Sequence, residues 1–430
     1  MVTKRALVAR VARQTLAIAR YTTWGLISMN VLPARIDRFL LAAALGLTIA
    51  VFGSLSMEQS PSAAIARGDF PAFYTMATLA SRDDRARFYD LETQRQIQNE
   101  IWESFQGSVL PVAYPPFLAF WIEPLASLSP SVARLVWIGG MVMCVVAGGV
   151  LISRASPSLR GLSWQVIVCA FLFAPLFLGV LGGQIVGFSV LLYAAFMVLD
   201  RRHGRWAEVA LGIITGLWMY KPHFAIAAGL VLILRKRWTA TFSWILTSFG
   251  LWWLGALVVG TDWIARWYSF AREFSNIDLI TNAPRMTGVI PFLYTVSGCA
   301  SGGLCFQDRL WEIATFFSAL FVPVFLFLAW WRSPARKGGD LSLLLGPLLV
   351  LFAPAVNFYD LALCALPLLL MVAPSRRSDC VLAGAVLVGS QLVLVSKDMG
   401  VGGVSFLFTL FLAYLVIRGR RRERAERIEE

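Results

Sequence analysis

Apolar residues come in long blocks separated by short basic or polar breaks, from about residue 39 to residue 418. The blocks lie at about 39–57, 131–152, 163–181, 185–199, 207–219, 223–234, 238–259, 311–331, 341–356, 361–374, 380–396 and 403–418. Blocks near 20 residues predict helices that cross a bilayer. Those at 185–199, 207–219, 223–234 and 361–374 are shorter than a full crossing needs. Broken helices survive at membrane depth only where they line a cavity. The pattern therefore predicts an all-α polytopic membrane protein with about twelve transmembrane helices, several short or broken around a recessed cavity. The apolar stretch 114–128 is read as horizontal or re-entrant, because one more crossing would invert every later basic break.

Composition agrees: 58% of the 430 residues are hydrophobic, with 30 Phe and 16 Trp. The net charge of +13 does not point to nucleic acid, because most cations sit in the breaks between apolar blocks. They cluster at Met1–Arg38, Arg154–Arg160, Arg201–Arg205, Arg235–Arg237, Arg332–Lys337, Arg376–Arg377 and Arg418–Arg427. Twelve crossings put all seven clusters on one side, which the positive-inside rule makes cytoplasmic along with both termini. Residues 1–38 read as a basic amphipathic segment on an anionic leaflet, with Lys4, Arg5, Arg10, Arg13 and Arg20 interleaved with Leu7, Val8, Val11, Leu16 and Ile18. A mitochondrial transit peptide has a similar character. No cleavable signal peptide is expected. Residues 39–418 form the membrane domain and 419–430 a charged tail.

The same threading puts the remaining polar features on the outer face. The loops 58–130 and 260–310 are too long for simple connections. The first is dense in aromatics and prolines and has a helical polar stretch at 91–104, so it predicts a structured cap. Asp69 begins this loop beside Gly68, where a partly desolvated carboxylate can act as a general base. A solvated or helix-capping aspartate is the plainer alternative. Lys221, between Tyr220 and Pro222 in an otherwise apolar stretch, predicts an anion site, and His223 stands beside it. A lysine there can also snorkel to the interface. Gln184 after two glycines, and Asn357, Tyr359 and Asp360 after a short block, can bind a sugar or phosphate or can simply form turns. Arg285, like Arg266 and Arg272, can meet a phosphate or a lipid headgroup.

Cys144, Cys169, Cys364 and Cys380 are expected in or beside the spans, while Cys299 and Cys305 can pair in an oxidising compartment. With two histidines, His203 and His223, no zinc spacing exists. No phosphate-binding glycine loop, dinucleotide fingerprint or nucleophile elbow occurs, and no cofactor is expected.

The polar stretches together resemble the GT-C superfamily of polytopic glycosyltransferases, and most of all glycosyltransferase family 87. They are Gly68-Asp69-Phe70 with Tyr74, Phe88-Tyr89-Asp90, Tyr114-Pro115-Pro116-Phe117 with Pro124-Leu125-Ala126, Gly183-Gln184, Gly212 through Gly216 with Lys221-Pro222, and Asn357-Phe358-Tyr359-Asp360. Each is short; their order over roughly residues 40–375 carries the likeness. The resemblance implies a GT-C fold and an inverting transfer of a sugar from a polyprenyl-phosphate donor to a lipid or glycan hydroxyl. It implies this chemistry at the extracytoplasmic face of a bacterial cytoplasmic membrane. Mannose is the default sugar, and a pentose such as arabinofuranose stays open. Asp69 matches the position of the base, Lys221 and His223 the region that meets the donor phosphate. Tyr74, Gln184, Arg285, Asn357, Tyr359 and Asp360 are the remaining candidate substrate contacts. No metal is implied. No soluble domain follows the last block, which leaves the acceptor open.

Two other classes share some of these features. A lipid-linked sugar transporter or flippase also has broken helices and intramembrane charge, but the two halves show no repeat. A ligase or polymerase using diphosphate donors places its arginines and histidine in a late outer loop, whereas the candidates here begin in the first.

Overall fold

The computed structural model describes residues 44–46, 68–82, 85–102, 109–283, 286–297, 309–332, 341–354, 356–371, 377–398 and 403–429. Most of block 39–57, the segment 1–38, Arg285, Cys299 and Cys305 lie outside the described residues. Among the described residues the chain is helical throughout, with one isolated antiparallel bridge between Met286 and Asn357. In chain order the helices are α1 (Phe70–Ser81), α2 (Leu91–Ile101), α3 (Phe117–Ile122), α4 (Pro130–Ala155), α5 (Ser163–Leu172), α6 (Ala174–Leu181), α7 (Val186–Asp200), α8 (Arg205–Leu217) and α9 (Pro222–Leu234). Then follow α10 (Trp238–Val259), α11 (Trp263–Asn282), α12 (Val289–Val296), α13 (Leu310–Trp331), α14 (Leu341–Phe352), α15 (Ala362–Met371), α16 (Arg377–Asp398) and α17 (Val404–Glu429).

Helix ends fall close to several apolar block ends, where Gly183, Gly204 and Pro222 interrupt the helices. Among the described residues three helices, α4, α10 and α13, are long and apolar enough to cross a membrane alone. The α5–α6 pair reaches that length only across a 78° bend, so block 163–181 is not one straight span. The backbone groups freed at that bend are taken up by α16: Ser390 Oγ accepts from the Ala174 amide at 3.1 Å, and Gln391 Nε2 donates to the Leu172 carbonyl at 3.0 Å. Such repair makes a broken helix tolerable in an apolar layer. Helices α7, α9 and α14 are apolar but shorter, as are the apolar parts of α15, α16 and α17. The described residues thus show several apolar helices of uneven length, which do not by themselves establish a count of twelve spans.

Contacts between the breaks mark two distinct ends of the bundle. One end gathers the basic breaks between α7 and α8 and between α9 and α10. There Arg237 donates to the Asp200 carbonyl at 2.7 Å and pairs with Glu208 at 2.6 Å, while Arg235 pairs with the buried Asp200 carboxylate. Burial is affordable here because every charge meets an opposite one. In the middle, α8 lies on α10 with Gly212 and Gly216 turned toward it, a small-residue contact that lets backbones approach. Tyr193 of α7 ties in α14 by donating to Ser342 O at 2.6 Å and accepting from Gly346 N at 2.9 Å.

The other end carries a helical cap. Its α1 is buried along nearly its whole length, and α2 follows from an N-cap, Asp90, whose carboxylate accepts from the Thr93 amide at 3.0 Å. The Thr93 hydroxyl, also bonded to it, holds the Asp90 carboxyl below the usual carboxylate range. Gln94 and Gln98 are buried and act as a mould for the extended segment after them. Gln98 exchanges two 2.8 Å bonds with Leu110, and Gln94 accepts from Val112 N at 2.9 Å. The segment 114–128 becomes α3 and a 3-10 turn over Glu123–Ser127, too short to cross. Helix α11 docks on this cap: Trp267 Nε1 donates to Ala113 O at 3.0 Å and Arg266 to Ala86 O at 3.1 Å.

Candidate functional site

Four separate breaks in the helical pattern meet at the cap end. The first two are locked together by backbone. Gly68 (φ +77) and Gly183 (φ +74) both adopt left-handed conformations that glycine takes without a Cβ penalty. This lets Gly68-Asp69-Phe70 lie against Gly182-Gly183, with the Asp69 amide donating to Gly182 O at 2.8 Å. A Cβ on Gly68 would run into the Gly182 backbone, and one on Gly183 would lie 2.5 Å from Phe70 Cβ. The Gly183 carbonyl is held from the other side by Trp137 Nε1 at 2.7 Å, and Leu181 O by Arg134 at 3.1 Å. We expect Gly183→Ala to lose about 1–3 kcal/mol of stability through overlap and backbone strain. It should also displace Asp69, so any activity that needs this carboxylate falls with the melting temperature in detergent. A wild-type melting temperature with full activity would show that this contact does not position the loop.

Asp69 stands at the N-cap position of α1 yet makes no side-chain cap bond. Its carboxylate is therefore not spent on capping, and it is only partly buried. Its charge bears on two phenols, Tyr114 and Tyr359. Burial first, and the Asp69 charge second, push both phenols well above their ordinary range, so both stay neutral at physiological pH. Between them sits Gln184, nearly fully buried, whose Oε1 accepts from Tyr114 at 3.5 Å and whose amide also bonds Tyr359.

The third and fourth breaks meet through charge. Helix α8 ends in a 3-10 turn over Trp218–Tyr220, and Pro222 starts α9, where its missing N–H costs nothing. Lys221 is left between them in non-helical conformation, 9% exposed. It is not the lone cation that its apolar stretch suggests. Its Nζ donates to Asp360 Oδ1 at 2.6 Å, and Asp360 is 1% exposed. The Phe224 and Tyr359 rings stand 5.0 and 5.6 Å from the ammonium. A buried ammonium needs such a partner because desolvation would otherwise exceed any gain from packing. Asp360 in turn closes a capping box with Asn357, whose Nδ2 donates to the Tyr359 hydroxyl at 3.2 Å. The box shapes the turn between α14 and α15. Gly179 makes room for this turn, since a Cβ there would meet Tyr359 Cβ at 2.9 Å.

The structure thus brings together Asp69, Gln184, Lys221, Asn357, Tyr359 and Asp360. His223 lies beside Lys221, half-buried and edge-on to Phe224, and its Nε2 has no hydrogen-bond partner among the described residues. Tyr74 is elsewhere. Its hydroxyl donates to Leu128 O at 2.8 Å and its ring meets Phe70 and Trp102, so it ties α1 to the turn before α4. Tyr114, Trp137 and Phe224 join the site without having been singled out for it. Tyr114 was visible only as part of an aromatic–proline stretch; Trp137 and Phe224 look like ordinary membrane aromatics. Among the described residues no group of His, Cys, Asp or Glu is arranged to hold a metal.

A sequence model of glycosyltransferase family 87 matches residues 113–354, more than half of the chain. The match contains Tyr114, Gln184, Lys221 and His223; Asp69 and the 357–360 turn lie outside it. No curated protein and no solved structure was found to match.

Proposed function

The chain belongs to glycosyltransferase family 87, and from that premise we propose that it transfers a sugar from a polyprenyl-phosphate donor to an acceptor hydroxyl. The observation that carries this reading is the meeting of a carboxylate, Asp69, with a buried ammonium, Lys221, across neutral phenol and amide donors. A single displacement needs a base on one side of the anomeric carbon and a cation on the other. The acceptor oxygen forms the new bond to the anomeric carbon while the bond to the donor phosphate oxygen breaks. The acceptor proton passes to Asp69, and the electron pair leaves with the phosphate. The anomeric centre inverts.

Asp360 has too little exposure and too close a cation to serve as the base, which leaves Asp69 for that role. Lys221 has three N–H donors. One goes to Asp360, and the others can meet the donor phosphate as its charge grows. Tyr114, Gln184, Tyr359 and Asn357 supply neutral bonds for sugar hydroxyls, with mannose the first sugar to try. The site faces the outer side of a bacterial cytoplasmic membrane, with both termini inside. The Asp200–Arg237 end lies opposite, where the basic breaks collect.

The purified protein, reconstituted in proteoliposomes, is expected to move radiolabelled mannose from a polyprenyl phosphate to an added hydroxyl acceptor, with the new linkage opposite in anomeric configuration. Release of labelled lipid to the far leaflet without glycoside formation would favour a flippase and sink this reading. A C-terminal reporter active only outside the cytoplasm would overturn the orientation.

A further inference from the structure

Helix α11 carries a carboxylate, Asp278, that the chemistry described so far does not use. The helix is fastened to the site near both of its ends. Close to its start, Trp267 Nε1 donates to Ala113 O, one residue before Tyr114. Just past its end, Met286 bridges to Asn357, and the Thr287 amide donates to Val356 O at 3.4 Å. Between these anchors Asp278 lies about three turns beyond Trp267, on the same helical face. Its charge is felt at the Tyr114 phenol, as is that of Asp69. At Tyr359 the leading carboxylate charges are those of Asp69 and Asp360. Asp278 thus belongs with the Asp69–Tyr114 side of the site and not with the Lys221–Asp360 pair. It is half-buried, and desolvation pushes its carboxyl above the usual carboxylate range. Among the described residues its partner is not a cation but the Asn282 amide, one turn on, which donates to Oδ1 at 2.6 Å. A buried structural carboxylate is ordinarily offset by an opposite charge, as Asp200 and Asp360 are. Asp278 keeps its desolvation cost, the pattern expected of a group held for a ligand. A carboxylate has about four acceptor positions, and Asn282 takes one.

We propose that Asp278, oriented by Asn282, accepts a hydrogen bond from an acceptor hydroxyl that neighbours the reacting one, so that the site selects a polyol such as a sugar ring over a simple alcohol. The inference rests on the transferase reading above and adds a specificity-determining residue to it. Charge decides which substrate Asp278 meets. A second carboxylate repels the donor phosphate, which the Lys221 ammonium draws to the other side. A neutral polyol brings O–H donors and meets no such repulsion. With Asp69 taking the proton from one hydroxyl, a second hydroxyl held by Asp278 fixes which of the two reacts.

The test uses the full-length protein in proteoliposomes at saturating donor, with octyl glycosides, their monodeoxy analogues and octanol as acceptors. Wild type should use one octyl glycoside well and octanol poorly. The monodeoxy analogue that lacks the neighbouring hydroxyl should show a KM raised about ten- to a hundredfold, as loss of a hydrogen bond to a charged group implies. Asp278→Asn should raise the KM of the full glycoside by a similar factor while kcat and donor affinity stay near wild type. It should also erase the discrimination against that analogue, which a merely structural role would not do. Asn282→Ala leaves the carboxylate in place but unoriented. It should show the same split at smaller size, and it carries the test where Asp278→Asn fails to fold. Octanol used as well as the glycosides, discrimination that survives in both variants, or a loss confined to kcat or to donor affinity would each overturn the role of Asp278 while leaving sugar transfer intact. Donor lipid moved across the membrane with no glycoside formed on any acceptor would sink the transferase reading itself, and this inference with it.

Discussion

Asp69→Asn is expected to slow sugar transfer by about 10²–10⁴-fold, the usual cost of losing a general base. The substitution keeps the shape of the side chain and leaves the Asp69 amide bonded to Gly182 O. It removes no cap bond from α1, because the carboxylate makes none. The melting temperature and the donor affinity should therefore stay near wild type, while the chemical step fails for want of a proton acceptor. Larger losses are possible if Asp69 also orients the acceptor. The phenols report independently: with the negative charge gone, Tyr114 and Tyr359 should titrate at lower pH, since that charge helps to raise them. Single-turnover kinetics on purified protein will decide, and near wild-type turnover would remove Asp69 from the base role.

Lys221→Ala is expected to weaken donor binding by about ten- to a hundredfold, as loss of a charge-assisted hydrogen bond worth roughly 1.5–3 kcal/mol implies. The rate should fall with it, because the ammonium gains most as charge gathers on the leaving phosphate. The Asp360 contact complicates the plain substitution, since truncation strands a buried carboxylate, which costs about 3–5 kcal/mol when a partner is removed. Stability will therefore fall as well. The double variant Lys221→Gln/Asp360→Asn separates the effects, because it keeps a neutral hydrogen bond across the two breaks. It should restore the melting temperature toward wild type but leave donor affinity low. If donor affinity recovers along with stability, the lysine holds the fold and does not hold the phosphate. Titration of a short-chain polyprenyl-phosphate sugar against the three proteins measures this directly.

Much of this architecture is local and so readable from order alone. Whether a segment is a helix follows from block length, helix stops and proline positions. Hence 238–259 in the sequence is α10, Trp238–Val259, and the helical polar stretch after Asp90 is α2. The failures have partners far away in sequence. Block 163–181 contains no charge to mark a break, yet it bends at Phe173, just ahead of Pro175, and α16 offers Ser390 and Gln391 to the freed backbone. Nothing within the block announces those partners.

The sequence by itself determined the all-helical class, the short helices around 182–186 and 218–223, and the polar residues at their breaks. It also marked Lys221 as too costly to be idle. Only the tertiary structure decided which break faces which. The Lys221–Asp360 pair joins residues 139 apart in sequence, and Tyr114 reaches Gln184 across 70. Tyr74, in the same motif as Asp69, turned instead into the cap. The reason is physical: helix formation answers to the near neighbours of a residue, whereas the partner of a buried charge is set by which helices share apolar and small-residue faces. That matching is a property of the whole bundle, and no single segment carries it.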